Sequence, residues 1–449
     1  MPRQSSNRPG ILLLTVGTGN GQQREETLYR PLRRSIRQGE HQRVILLPSR
    51  VSETWAREVE RDLADLQVAV QPLPEAGDED DPDRCFAHFD RVLGQLLHGE
   101  SLTPDQVEID LTRGTKVMSA ALALAALRHE IFRMRYITGQ RDHQGMVIAG
   151  TETVQRFQAA RITAARRLDQ ARQLMGHGQF AAVRTLLSDP DADGAGLWPD
   201  PFPDQVRAIR HLADFFQRWD RLDYAGAAAV LPLPARELLP EAWRRFLPDD
   251  LCRDWVRSLA RPLPDRGDPD YCRAMAGHVS RLMTDLWANA RRRLAAGQWE
   301  DAAVRAYRVL EMAGQVGLFR RGHDSGRLDP RDPVVAGFVA RVENKGATPL
   351  GRNRDETLQA PREKAARLLK SMGDPLGGIL LGLAREEEGF NVTLRNHSIL
   401  IHGFQAMAPA EEQGLRDYLA RLATELLCPL LGDDAAAWQT VARVPEFGE

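Results

Sequence analysis

The stretch Val107-Glu-Ile-Asp-Leu-Thr-Arg-Gly-Thr-Lys-Val-Met-Ser119 runs from an aliphatic, β-branched segment through a glycine turn into an alanine-rich one. Its spacing predicts a strand over Val107–Leu111 and a helix that begins near Lys116. A strand that turns directly into a helix is half of a βαβ unit, and such units build a parallel sheet. Further strand-like runs lie at Ile11–Val16, Val44–Leu47 and Val68–Val70, separated by helical stretches such as Glu53–Leu66 and Cys85–Leu97. Phe132–Thr138 and Met146–Ala149 read as two more strands joined by the polar turn Gly139–Gly145, an antiparallel edge that closes the sheet.

Beyond Thr153 helical periodicity dominates, broken by proline-rich joints at Asp189–Asp204, Arg261–Asp270 and Asn344–Pro361. Three short motifs, at Gly178-Gln-Phe180, at Leu222-Asp-Tyr224 with Ala227, and at Gly297-Gln-Trp299 with Ala302, each end one helix and open another. They resemble the helical hairpins of tetratricopeptide repeats, although their unequal spacing excludes a regular solenoid. The fold class is thus α/β followed by α.

A chain of 449 residues has room for two or three domains. Its 60 Lys and Arg nearly balance 62 Asp and Glu, for a net charge of −2, so any contact with nucleic acid is local. The cysteines at 85, 252, 272 and 428 are scattered and form no CxxC pair, which fits free thiols in a reducing compartment and no zinc site. The opening MPRQSSNRPG leads only into the short run Ile11–Val16, too brief for a signal peptide, and no apolar run reaches the roughly 18 residues of a membrane span. The expected protein is soluble and cytoplasmic, with no membrane partner.

Two loops leave strand ends in the first segment. Thr15-Val-Gly-Thr-Gly-Asn-Gly21 carries three glycines that let backbone N–H groups approach a ligand. Asp110-Leu-Thr-Arg-Gly-Thr-Lys116 adds hydroxyls, a cation and the positive end of a helix. Neither fits GxGxxG or GxxxxGK[ST], so dinucleotide and P-loop readings lack their fingerprints. The acidic run Asp78–Asp81 with Asp83 reads as a solvated loop, expected to lie away from any anionic ligand.

Near the other end stands Leu394-Arg-Asn-His-Ser-Ile-Leu-Ile-His-Gly-Phe404. On a helix, Arg395 and His402 share one face about 10 Å apart along the axis. Arginine suits a phosphate and histidine exchanges protons near neutral pH, the two things a metal-free RNA-cleaving site needs when the 2′-OH is the nucleophile. Asn396 is placed to orient a phosphate or the histidine; His397 lies off that face. Glu386–Glu388 precede the motif, but no His/Cys set completes a metal site.

Val16-Gly-Thr-Gly19 together with Asp110-Leu-Thr-Arg-Gly-Thr-Lys-Val-Met-Ser119 resembles the CARF family, and Arg395-Asn with His402-Gly resembles the R-x(4–6)-H signature of HEPN ribonucleases. Ala303-Val-Arg-Ala-Tyr-Arg-Val-Leu-Glu311 resembles the first long HEPN helix, in which Arg308 and Glu311 read as a surface ion pair. The pairing is similar to the CRISPR-associated type III CARF–HEPN ribonucleases. It implies a Rossmann-like sensing domain over 1–153, a helical connector over 154–285 and an α-helical HEPN domain over 286–449. It further implies a homodimer activated by cyclic oligoadenylate, tetraadenylate being favoured over hexaadenylate, that cleaves single-stranded RNA without a metal or other cofactor. The implied catalytic residues are Arg395, Asn396 and His402; the implied ligand residues are Thr18, Gly19, Thr112, Gly114, Thr115 and Lys116. A rival reading is a non-enzymatic, ligand-responsive regulator whose helical half binds protein or nucleic acid; a third is a nucleotide- or NAD-using enzyme in the N-terminal half.

Overall fold

The computed structural model describes residues 10–18, 24–39, 41–100, 102–140, 148, 151–188, 197–344, 349–384 and 411–432. They form two compact units, residues 1–170 with 187–207 and residues 171–186 with 208–449.

The first unit is built on a sheet ordered β3-β2-β1-β4-β5-β6, with β1 at Ile11–Val16, β2 at Arg43–Pro48, β3 at Gln67–Val70, β4 at Val107–Asp110, β5 at Arg133–Thr138 and β6 at Thr153–Gln158. The first five strands are parallel and β6 runs antiparallel to β5. Every residue of β1 is buried. Its alternate side chains feed two cores: Ile11 and Leu13 pack with α3 (Pro82–Gly94) and α4 (Lys116–Arg128), while Leu12, Leu14 and Val16 pack with α1 (Arg30–Gln38) and α2 (Glu53–Asp62). A strand covered on both faces reads as a near-continuous apolar run, as β1 and Val44–Leu47 of β2 do, whereas β4 buries Glu108 and Asp110 as well.

The antiparallel edge exists, but its outer strand is Thr153–Gln158 and not Met146–Ala149. Of the latter only Ile148 is among the described residues, and it is not in a strand. Thr153, Gln155, Arg156 and Phe157 are exposed, so this edge strand is held by backbone pairing and lacks the buried alternation by which a strand is recognised.

The second unit is helical. Its principal core gathers α10 (Tyr271–Ala295), α11 (Trp299–Arg320), α12 (Pro333–Asn344), α13 (Arg362–Ser371), α14 (Pro375–Gly382) and α15 (Glu412–Arg421). The three hairpin motifs share one turn. Gly178, Leu222 and Gly297 hold φ of +69, +62 and +71°. The next residue donates its N–H five residues back, Gln179 to Leu174, Asp223 to Arg218 and Gln298 to Arg293, at 2.9, 3.0 and 2.8 Å. This double closure satisfies the last helical carbonyls and reverses the chain. Each turn opens a short or long helix, α6 (Phe180–Leu186), α8 (Tyr224–Ala229) and α11.

Candidate functional site

In a sheet of this order the connections reverse direction between β1 and β4, so the loops after these neighbouring strands open side by side at their carboxyl ends, where ligands of α/β proteins sit. Register pairs Leu14 with Asp110, which sets Thr15–Thr18 alongside Leu111–Gly114. Contact between the two loops is close. A Cβ on Gly17 would lie 3.3 Å from the Gly114 Cα, and one on Gly114 would lie 2.7 Å from Thr15 Oγ1. Gly114 also holds φ of +89°, a conformation L residues rarely adopt. The Thr15 hydroxyl donates to the Arg113 carbonyl, and the Ser52 hydroxyl donates to the Val16 carbonyl at 2.7 Å, so the loop after β2 is tied to the same edge.

Charge beneath the loops is buried and paired. Asp110 is 1% exposed; its Oδ2 accepts from Arg135 Nε at 3.0 Å and from the Ser35 hydroxyl, and its Oδ1 accepts from the Thr112 N–H at 2.9 Å. Arg135 also donates to the Ser35 carbonyl and hydroxyl, each at 2.8 Å, and lies 3.5 Å from Glu108. Glu108 in turn meets His41 at 3.0 Å and Arg156 at 3.4 Å. Burial pushes the Glu108 carboxyl up, but the hydrogen bond with His41 and the charges of Arg135 and Arg156 outweigh it and hold the group below the usual carboxylate range. A buried guanidinium is tolerable only with such partners. The network therefore fixes the turn above it.

Within that turn the implied ligand residues fall into two sets. Thr112 donates its hydroxyl to Asp110 and accepts from the Ile137 N–H at 2.8 Å. Thr115 caps α4, accepting from the Met118 N–H at 3.1 Å, and donates to the Glu79 carbonyl at 2.8 Å. Both hydroxyls are thus engaged inside the protein. Thr18 and Lys116 are exposed, and Lys116 begins the helix whose first turn has N–H groups without intrahelical partners. Gly19 lies outside the described residues. Burial pulls the Arg113 guanidinium down, opposed by Asp110, Tyr136 and Glu152.

The acidic run is closer to this turn than its composition suggests, since the Glu79 carbonyl holds Thr115. Its charge is partly answered: Arg84 lies 3.0 Å from the buried Asp78, and that hydrogen bond holds the Asp78 carboxyl below its ordinary value. The sequence assigns no role to Asp110, Arg135 or Ser35. The available signal is a pair of opposite charges, Asp110 and Arg135, within apolar strands that register side by side.

In the second unit, Arg395, Asn396 and His402 lie outside the described residues, as do His397 and Glu386–Glu388. Arg308 and Glu311 form an exposed ion pair at 3.0 Å on α11. Among the described residues no group of three or more His, Cys, Asp or Glu is placed to hold a metal, and no helix is long and apolar enough to cross a membrane.

Residues 273–426 match the family model described as the Csm6 HEPN domain, a range that contains the 395–402 motif. Enterococcus italicus Csm6 bound to cyclic hexa-2′-fluoro-hexa-dAMP superposes with a TM-score of 0.58 at 10% identity, over 97% of this chain and 98% of that one. The chain has the fold of that Csm6. Can2 from Sulfobacillus thermosulfidooxidans in complex with cyclic tetra-adenylate matches at a TM-score of 0.22 and 13% identity, over 61% of this chain and 67% of that one, too low a score to show a shared fold. Among curated protein sequences none matches. The paired glycine loops belong to the α/β unit and the family-model match to the helical one.

Proposed function

We propose that the protein is a cyclic oligoadenylate-activated, metal-independent endoribonuclease of type III CRISPR defence that acts on single-stranded RNA. The observation that carries this reading is the Csm6 HEPN match over 273–426, because it encloses an Arg-Asn and a His at the spacing of the HEPN signature. In this reading the substrate's 2′-OH attacks the adjacent phosphorus and the 5′-oxygen leaves, giving a 2′,3′-cyclic phosphate and a 5′-hydroxyl. Arg395 binds the charge that builds on the phosphorane, His402 exchanges the proton, and Asn396 orients phosphate or imidazole. Segments 1–153, 154–285 and 286–449 act as sensor, connector and nuclease. Thr18, Gly19, Gly114 and Lys116 meet the activator's phosphates or ribose, and Thr112 and Thr115 shape the turn that presents them. A cyclic activator with internal symmetry suits the self-complementary site of a homodimer.

The deciding assay incubates fluorescent RNA with the protein and cyclic tetra- or hexaadenylate, each with and without EDTA. Cleavage is expected only with an activator, is expected to survive EDTA, and is expected to vanish in His402→Ala. Turnover that EDTA stops and Mn²⁺ restores overturns the metal-free chemistry.

A further inference from the structure

The second unit contains a cleft of about 1300 Å³ that the nuclease reading above leaves without a role. Its walls come from the C-terminal turns of α10, from α15, and from the Gly176–Gln179 turn that precedes α6. Among the described residues four arginines line it, Arg291, Arg292, Arg293 and Arg416, against one lining carboxylate, that of Asp220. That carboxylate is shared: Arg292 meets it at 2.9 Å and Arg293 meets its other oxygen, while Asn289 donates to the first oxygen at 3.1 Å. One carboxylate thus holds two guanidinium groups in place. The Arg291 guanidinium lies 5.0 Å from the centroid of the Trp287 ring, whose indole N–H is anchored on the Leu419 carbonyl at 2.8 Å. Arg416 is paired with Glu412 only at the surface, where its side chain is 54% exposed.

We infer that this cleft, whose described lining residues lie outside the implied catalytic set, binds the phosphodiester backbone of single-stranded RNA as an exosite. Three considerations select that ligand. The volume exceeds the roughly 300–1,000 Å³ of small-molecule pockets, so the occupant spans several units. Planar guanidinium groups bind phosphate bidentately, and a guanidinium plane supported by an aromatic ring also accepts a stacked base. In a chain with a net charge of −2, a polyanion must find its contacts in a local cluster of this kind.

The inference rests on RNA being the substrate, and the test separates the two. A labelled RNA of about 20 nucleotides, 2′-O-methylated so that it has no nucleophile, is titrated by anisotropy against the full-length wild type and Arg291→Ala/Arg416→Ala over a range of salt. The double variant is expected to bind about tenfold more weakly. Its log–log salt slope should be shallower by about 1.4, the loss of two phosphate contacts at roughly 0.7 each. Arg416→Lys, which keeps the charge, should recover most of the salt slope that the Arg416 change removes. Equal affinity and slope in wild type and double variant overturn the exosite. So does a cleft that binds poly-glutamate, but no RNA, in an arginine-dependent way. RNA binding lost as expected in a protein that cleaves no RNA with any activator leaves the exosite standing and removes the nuclease reading instead. Circular dichroism melts of the variants distinguish lost contacts from lost folding.

Discussion

Gly114 and Gly77 hold nearly the same backbone angle, φ of +89 and +90°, yet their surroundings differ. A Cβ on Gly77 meets nothing within 4 Å, whereas one on Gly114 meets Thr15 Oγ1 at 2.7 Å. Gly77→Ala should therefore cost only the left-handed strain, about 1 kcal/mol, and Gly114→Ala that strain plus a clash, about 2–3 kcal/mol. Urea midpoints of the two variants check the difference, and under the proposed function Gly114→Ala also weakens activator binding. Lys116 is exposed and makes no ion pair among the described residues, so its removal leaves the capped helix intact. Lys116→Ala is expected to raise the activator concentration for half-maximal cleavage about tenfold, the size of one charge-assisted phosphate contact. An unchanged half-maximal concentration removes Lys116 from the binding set. Thr115→Ala instead loses the cap, about 1 kcal/mol, whatever the ligand. The strand–turn–helix of Val107–Ser119 was legible in the sequence. The commitments of Thr112 and Thr115 were not, because their partners Ile137 and Glu79 are distant in the chain and meet them only in the fold.

Strands β4 and β5 join apolar runs through a charged seam, and the seam makes acid sensitivity a property of these elements. The Glu108 carboxyl is held below its ordinary value of 4.5 in the fold. Stability from this group is therefore fully present above that pH and is lost as pH falls through the lowered native value. Glu108→Gln should flatten the acid limb of the stability profile below about pH 4.5, read by urea titration across pH. An unchanged limb would show that the seam carries no protonation-linked stability. A second buried carboxylate, Asp285 on α10, accepts from the Trp219 indole at 2.9 Å and the Tyr224 hydroxyl at 2.7 Å, linking that helix to the Leu222 turn. Burial pushes its pKa up, so ionised Asp285 is costly there. Asp285→Asn, neutral and still able to accept, should change stability by less than about 1 kcal/mol, while Asp285→Leu strands two buried donors at about 2–4 kcal/mol. Denaturant midpoints decide between them. At this level β1 and β2 were readable because burial on both faces favours apolar runs. Strand β6 was not, since an exposed edge puts little constraint on its side chains.

The glycine loops lie in one compact unit and the HEPN match in the other. The sequence made the two strand-end loops of the first unit legible through their glycines, while the 395–402 motif lies outside the described residues. The arginine cleft went unread because its walls, near residues 177, 291 and 416, are brought together only by helical packing. Under the proposed function, an activator can switch such a molecule only by binding its cutting-competent state more tightly than its idle state. The coupling is then reciprocal: an RNA that prefers the competent state must tighten activator binding by the factor that activator tightens RNA binding. Sedimentation should first give a dimer of about twice 50.2 kDa without ligand. Calorimetry of activator binding, with and without saturating 2′-O-methyl RNA, then supplies one factor, and anisotropy of the same RNA with and without activator supplies the other. The two are expected to agree, in the range of about 5- to 150-fold that separates typical coupled sites. His402→Ala should leave both factors in place while abolishing cleavage, since equilibrium coupling does not pass through the chemical step. Substantial cleavage with both factors equal to one would mean that activator and RNA do not share a conformational equilibrium, and the allosteric reading would fall even with the nuclease intact.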